Sequence, residues 1–314
     1  MTTTQSRQPG QEALLPYGAP YLIGDATSAR RDLTELRRAL ARSGVVAEAS
    51  VARPASRARE IAERALERGS RLLVAVGDDR IAHAMVATLV GPDGPRCPDA
   101  VLGLAGMGRQ NFAATFGLPD EPERAALHLV GPNLFVADVG RARWHGPDGG
   151  HRVGVFGNCA ELGYPAEVSS RLPRIAWAGR FGRLGAALGG LAATRSTPAR
   201  LALERGAVDF RLAGLVVANG QFTMHRMKVA PRALPDDGRM SVIAFEGQPI
   251  GIYARSKQLY YGDHIPHPTI REYQSKRVVV ETAEPLAIAL DGCRVPGEPP
   301  LTVEVLPEAL RIKV

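Results

Sequence analysis

Lysine is nearly absent from this chain. Of its 314 residues only Lys228, Lys257, Lys276 and Lys313 are lysine, so the net charge of +7 comes almost entirely from arginine. With none before position 228, neither a GxxxxGK[ST] phosphate loop nor a strand lysine of the protein-kinase type exists in the first two thirds of the chain. Cysteine is scarce as well. Cys97, Cys159 and Cys293 are odd in number, far apart and without a CxxC pair, which argues against a disulfide framework or a zinc knuckle and fits a reducing cytosol. No apolar run approaches the ~18 residues of a membrane span. Aromatic residues, 5% of the chain, do not interleave with basic ones as base-stacking surfaces require. A cytoplasmic protein without a nucleic-acid partner is therefore expected; peripheral contact with an anionic membrane and a homodimer stay open.

What is present is periodicity. Residues 1–19 read as a loose leader. Tyr21 to Ile23, Ser28 to Arg42, Val45 to Val51, Arg57 to Arg68, Leu72 to Val76 and Ile81 to Val90 then alternate as β-α-β-α-β-α. Leu33, Leu36 and Leu40 recur at three- and four-residue steps, and Gly44 supplies a stop. Such alternation implies a parallel sheet whose ligand crevice lies at the carboxyl ends of the strands. The turn after Leu72–Val76, GDDRI, is the first place to look for chemistry. From Asn133 onward short strand-like runs are separated by Gly, Pro and Asp, as in an antiparallel β-sandwich. The expected organisation is an α/β domain over 20–132 and a sandwich over 133–314. The latter carries an arginine-rich helical insertion at 166–205, and its last strand is a candidate to return to the first domain.

Particular motifs narrow this further. VANGQFTMHRMKVAPRALPDDGRMSV, PLAIALDGCRVPGEPPLTVEVLPEALRIKV, LLVAVGDDRIAHAM and MGRQNFAATFGLP, in their order and spacing, resemble the diacylglycerol kinase catalytic-domain family, which includes bacterial lipid kinases and sphingosine kinases. The resemblance runs from about Pro20 to Val314. It implies the fold of NAD kinase and diacylglycerol kinase, a Rossmann-like α/β domain followed by a β-sandwich, with ATP and Mg2+ in the cleft and a lipid hydroxyl as phosphoryl acceptor.

The departures from the family pattern fall on its site. Asp78 and Arg80 replace the glycines that flank the retained Asp79; Ile81 replaces a threonine, and His83 and Ala84 replace an Asn-Glu pair. Met107 to Asn111 stand where Gly, Thr, a small residue, Asn and Asp are expected, and the family's Asp-Gly-Glu becomes Asp291-Gly292-Cys293, losing the expected general base. A side chain at position 78 stands where phosphates approach the backbone, so these changes argue against ATP binding in the family's manner. The resulting candidates are Asp79, His83, Cys293 and Asp291 as catalytic groups. Asp78, Arg80, Arg109, Asn111, Asn158 and Asp237 are candidates for substrate or phosphate contacts. His83 lies four residues after Asp79, so the two can share a helix face. No metal ligand set is assigned; Asp263-His264-x-x-His267 has metal-like spacing but reads as a structural turn. Cofactors follow the family, ATP and Mg2+, only if its activity survives. Three readings stay open: a repurposed biosynthetic enzyme acting on a hydrophobic, lipid-like small molecule, an ATP-dependent lipid kinase, and a non-catalytic binding protein.

Overall fold

The computed structural model describes residues 16–25, 29–175 and 178–314. Most of the leader, residues 26–28 and the side chain of Arg174 lie outside the described residues. The first domain runs β1 (Tyr21–Asp25), α1 (Ala29–Arg42), β2 (Glu48–Ala52), α2 (Ala58–Glu67), β3 (Leu72–Val76), α3 (Asp79–Leu89), the small hairpin β4 (Val90–Gly91) and β5 (Gly94–Pro95), β6 (Val101–Ala105), α4 (Asn111–Thr115) and α5 (Pro122–Val130). Its strands β6, β3, β1 and β2 are parallel neighbours in that order.

The apolar runs that announce these strands have no polar face, because helices cover both sides of the sheet. Successive residues of one strand serve opposite cores. Ile23, Leu73, Ala75, Leu102 and Leu104 pack with α2 and α3, whereas Leu22, Leu72, Val74, Val76 and Val101 meet Leu33, Leu36 and Leu40 of α1 and Ala125, Ala126 and Leu129 of α5.

The second domain comprises β7 (Leu134–His145), β8 (His151–Phe156), β9 (Cys159–Gly163), α6 (Tyr164–Ile175), α7 (Gly179–Ala193), β10 (Thr197–Leu203), β11 (Gly206–Ala218), β12 (Met240–Glu246), α8 (Pro249–Ala254), α9 (Ser256–Tyr261), β13 (Ile270–Ser275), β14 (Arg277–Thr282), β15 (Ile288–Leu290), β16 (Cys293–Val295) and β17 (Glu298–Lys313). Apart from the β17–β6 pair, its strand pairings are antiparallel. Leu162, Leu201, Leu215, Val217, Val242, Val280, Leu290 and Val303 fill the sandwich core.

One boundary expected above needs correcting. The helical insertion ends with α7 at Ala193, and Thr197–Leu203 is strand β10, where buried Thr197, Ala199 and Leu201 alternate with exposed Pro198 and Arg200. That period of two belongs to a strand; the arginines obscure it by resembling the helical stretch before them.

β17 ties the domains together. It pairs antiparallel with β14 and β7, and near its end runs parallel to β6, Ile312 opposite Leu102. The β7–β17 register slips between Leu306 and Leu310, where Glu308 is left-handed at φ 51°. Buried Asp138 of β7 holds this bulge: Oδ1 accepts from Glu308 N at 2.9 Å, and Oδ2 from Gly238 N at 2.7 Å. The Asp236-Asp237-Gly238 turn is thus docked on the strand that joins the domains. Asp138→Ala leaves two amides without their acceptor and is expected to cost about 2–4 kcal/mol of stability in urea denaturation, more than Asp138→Asn, which keeps one acceptor oxygen.

Candidate active site

The crevice forms where β1 and β3 end. Gly77, at φ 113°, turns the chain out of β3. Asp78 is the N-cap of α3, its Oδ1 accepting from Arg80 N at 3.0 Å, which supplies one of the amides a helix start leaves unpaired. Asp79 follows as the first helical residue. Its carboxylate crosses to the start of α4: Oδ2 accepts from Asn111 N at 3.0 Å and Asn111 Nδ2 at 2.6 Å, and Oδ1 from Phe112 N at 3.1 Å. Burial pushes Asp79 up to about 7, and the Asn111 and Phe112 amides oppose that shift. Both of its oxygens are committed to joining the two loops that frame the crevice.

His83 points elsewhere. Its Nδ1 lies 3.0 Å from Asp291 Oδ2, a residue 208 positions later in the turn between β15 and β16. Asp291 itself is left-handed at φ 49° and buried. Its Oδ2 also accepts from Gly157 N at 3.0 Å, while Oδ1 accepts from Asn158 N at 2.8 Å and Cys159 N at 3.0 Å. A carboxylate held by amide donors can only accept from the imidazole, so the ring proton sits on Nδ1 and the Nε2 lone pair is left free for a reacting group. This is the orienting role that a buried aspartate plays beside a general-base histidine. The His83 side chain is 20% exposed, so a small molecule can reach it. The expected pairing of His83 with Asp79 is thereby replaced: the i, i+4 relation holds along α3, but each side chain binds a different loop.

The two crevice arginines are neutralised from within. Arg80 places Nε and Nη2 at 2.9 and 2.6 Å from Asp78 Oδ2, and Nη2 also lies 3.0 Å from Asp25 Oδ2 at the end of β1. Arg109 pairs with Asp32 of α1. Nearby, Asp120 accepts from Gly108 N at 2.7 Å and from Arg226 Nη1 at 2.6 Å. Both arginine charges are thus balanced by carboxylates, while Arg109 Nε is buried without a hydrogen-bond partner among the described residues. A divalent cation fares no better at Asp79 or Asp291, whose oxygens already accept amide hydrogens, and among the described residues no three His, Cys, Asp or Glu side chains are grouped to hold a metal. Mg-ATP held as the family holds it would require these internal pairs to rearrange.

The remaining candidate residues have partners of their own. Cys293 shares the charge cluster of Asp291, Asp78, Arg80 and Asp79, and burial, reinforced by Asp291 and Asp78, pushes its thiol well above the ordinary value. That shift disfavours the thiolate which a nucleophilic cysteine needs. Asn158 Nδ2 donates to Phe222 O at 2.8 Å while its Oδ1 is buried without a hydrogen-bond partner among the described residues, and Asn111 Oδ1 accepts from Arg226 N at 2.6 Å. Asp237 accepts from Arg239 N at 2.9 Å on its exposed turn and has no hydrogen bond to the His83 cluster. His264 and His267 separate likewise, the first on Val229 O and the second beside Arg255 and Thr269.

Sequence reasoning passes over Glu161 entirely, because a lone Glu in an apolar strand run carries no motif. It is fully buried in β9 and accepts from Ser169 of α6 and Thr223. Burial pushes it up to about 8, so it is mainly protonated at neutral pH. Thr223 opens a strap in which Met224, His225 and Arg226 are consecutively left-handed, at φ 46°, 66° and 63°. Met224, His225 and Met227 wall a small apolar cavity of about 50 Å3 with Tyr164, Val168 and Leu172 of α6 and Ile252 and Leu259 of α8 and α9. Arg183 Nη1 lies 3.2 Å from His225 Nε2 at its edge. The strap therefore links the Asp79–Asn111 pair to an apolar pocket large enough for the end of a hydrocarbon chain.

Because Glu161 binds a proton more tightly folded than unfolded, its contribution to stability falls as pH rises from about 5 to about 8. Glu161→Gln is expected to remove that part of the slope in denaturation curves while keeping the fold, since the amide can still bond both hydroxyls.

Residues 24–142 match the diacylglycerol kinase catalytic domain, and residues 158–314, half of the chain, match the YegS C-terminal NAD kinase beta sandwich-like domain. No curated protein matches the chain. Among solved structures, a candidate diacylglycerol kinase from Bacillus anthracis strain Sterne superposes at TM-score 0.69 with 18% identity, covering 94% of this chain and 97% of its own. Another diacylglycerol kinase structure from that organism gives 0.65 and 16%, covering 94% and 96%. Yeast NADH kinase complexed with NADH gives 0.51 and 9%, covering 94% and 82%. The likenesses to solved structures show the fold. With both halves matched in order, the chain belongs to the diacylglycerol kinase-like lipid kinase family.

Proposed function

We propose that this protein is a lipid-kinase-fold enzyme that has left ATP chemistry and performs acid–base catalysis on a hydrophobic small molecule in a biosynthetic step. The observation that carries this reading is the His83–Asp291 pair, whose carboxylate is fixed by three backbone amides and whose imidazole side chain is 20% exposed. His83 takes a proton from the substrate at Nε2 and returns one later in the cycle; Asp291 holds the tautomer and stabilises the imidazolium between those events. The apolar cavity beyond the strap receives the hydrocarbon part of the substrate. The internal pairing of Arg80 and Arg109 supports the absence of a phosphate donor.

The same dyad favours a second reading. His83 bonds Asp291, two residues before Cys293 at the position of the family's expected base, so it could activate a lipid hydroxyl in a kinase with rearranged nucleotide contacts. Calorimetry separates the two. No heat is expected with Mg-ATP up to about 1 mM, whereas binding in that range supports the kinase. Asp78→Gly with Arg80→Gly, which reopens the loop, is expected to create Mg-ATP binding where the native chain has none.

The ligand recovered from the purified protein by solvent extraction and mass spectrometry supplies the substrate for the direct test. His83→Gln is expected to lower its turnover by roughly 100-fold or more, and Asp291→Asn to lower kcat through the wrong tautomer. Unchanged turnover in His83→Gln would discard the acid–base assignment.

A further inference from the structure

A second cavity, of about 630 Å3, opens on the sandwich domain, and none of the crevice residues lines it. Its wall is built by Leu203 at the end of β10, Arg205 in the turn into β11, Arg232 and Arg239 from the connection between β11 and β12, and Glu272 and Gln274 of β13. Three guanidiniums here meet one carboxylate, and they are unequally paired. Arg232 Nη1 donates to Glu272 Oε2 at 2.6 Å. Arg239 Nη1 stands 3.6 Å from Glu204 Oε2, beyond direct hydrogen-bond length, and that oxygen already accepts from Lys276 N at 3.0 Å. Arg205 is exposed and has neither an ion pair nor a hydrogen bond among the described residues.

Glu272 is the opposite case. Its side chain is 12% exposed, and Oε1 is buried without a hydrogen-bond partner among the described residues. A buried acceptor in that state costs about 1–3 kcal/mol until something donates to it. The lining therefore calls for two things at once, an anion for Arg205 and Arg239 and a hydrogen-bond donor for Glu272. Guanidinium forks match the oxygens of a phosphate. A bare phosphate, however, fills only a small part of this volume, and a neutral polyol leaves both arginines unanswered. Leu203 is the one aliphatic side chain of the lining, so an acyl chain finds little to pack against. Gln274 adds an amide that both donates and accepts, which suits a hydroxylated molecule.

We infer that this cavity is a binding site for a small, soluble phosphate ester bearing hydroxyl groups, of the sugar-phosphate class, with its phosphate on Arg205 and Arg239 and a hydroxyl donating to Glu272. The site is independent of the chemistry at His83. Its test is calorimetry at low salt with glucose 6-phosphate, inorganic phosphate and glucose as probes. The ester is expected to bind with a dissociation constant below about 1 mM, inorganic phosphate about ten-fold more weakly, and glucose not measurably in that range. Arg205→Ala, at an exposed position with no internal bond to lose, is expected to weaken both phosphates by about ten-fold or more with an unchanged melting curve. Glu272→Ala is expected to remove the preference for the ester, because the hydroxyl loses its acceptor while the freed Arg232 attracts both anions alike. No heat with either phosphate up to about 10 mM overturns the inference, as does undiminished binding in Arg205→Ala. A preference that survives in Glu272→Ala overturns the role of that carboxylate, and binding confined to vesicles carrying a phosphoinositide overturns the assignment to a soluble ligand.

Discussion

Everything at the centre of this molecule is referred to one carboxylate. Asp291 sits in a backbone conformation that residues with side chains avoid, at a cost of roughly 1–2 kcal/mol, and is kept there because its two oxygens answer three consecutive amides at the start of β9 and one imidazole from the other domain. Buried amides left unpaired would each cost a comparable amount, so the strained turn is the cheaper arrangement. The bond to His83 then crosses the domain boundary, so the relative placement of α3 and the sandwich is encoded in a side chain and not only in packing. Asp79 performs a parallel task within the first domain by locking α4, and Asp138 does so at the junction of β7 and β17.

These three aspartates explain what can be read from the sequence. The parallel half is legible because a doubly covered sheet must be apolar on both faces, so Leu72 to Val76 and Val101 to Leu104 stand out as uninterrupted runs between helical stretches of clear period. The family pattern brings Asp79, Asp291 and His83 to attention, since they fall on its motifs. Their partners are not legible. Nothing near His83 in the chain signals Asp291, and nothing around Arg80 or Arg109 reveals that Asp25 and Asp32 will neutralise them, because such pairs depend on how strands and helices are brought together. Glu161 is hidden for another reason: its setting is apolar, and only the fold shows the two hydroxyls that make a buried carboxyl tolerable there.

The loop after β3 carries its own charges. A glycine loop leaves backbone amides pointing into space and waits for an external anion to complete them. Here Asp78 brings the anion with it, as a helix cap, and Arg80 balances the result. The strap from Thr223 to Met227 has its left-handed run held by Glu161 and Asn111 from beneath.

The pairing of β17 with β6 has a consequence for how the chain acquires its structure during synthesis. The inner edge of the first domain's sheet finds its neighbour about 210 residues further along the chain. The emerging α/β half therefore presents β6 as an open edge while the whole sandwich is being made, exposed to improper pairing with other nascent chains. Closure of that edge by Ile312 joins parts of the chain far apart in sequence, a contact of high loop-closure entropy.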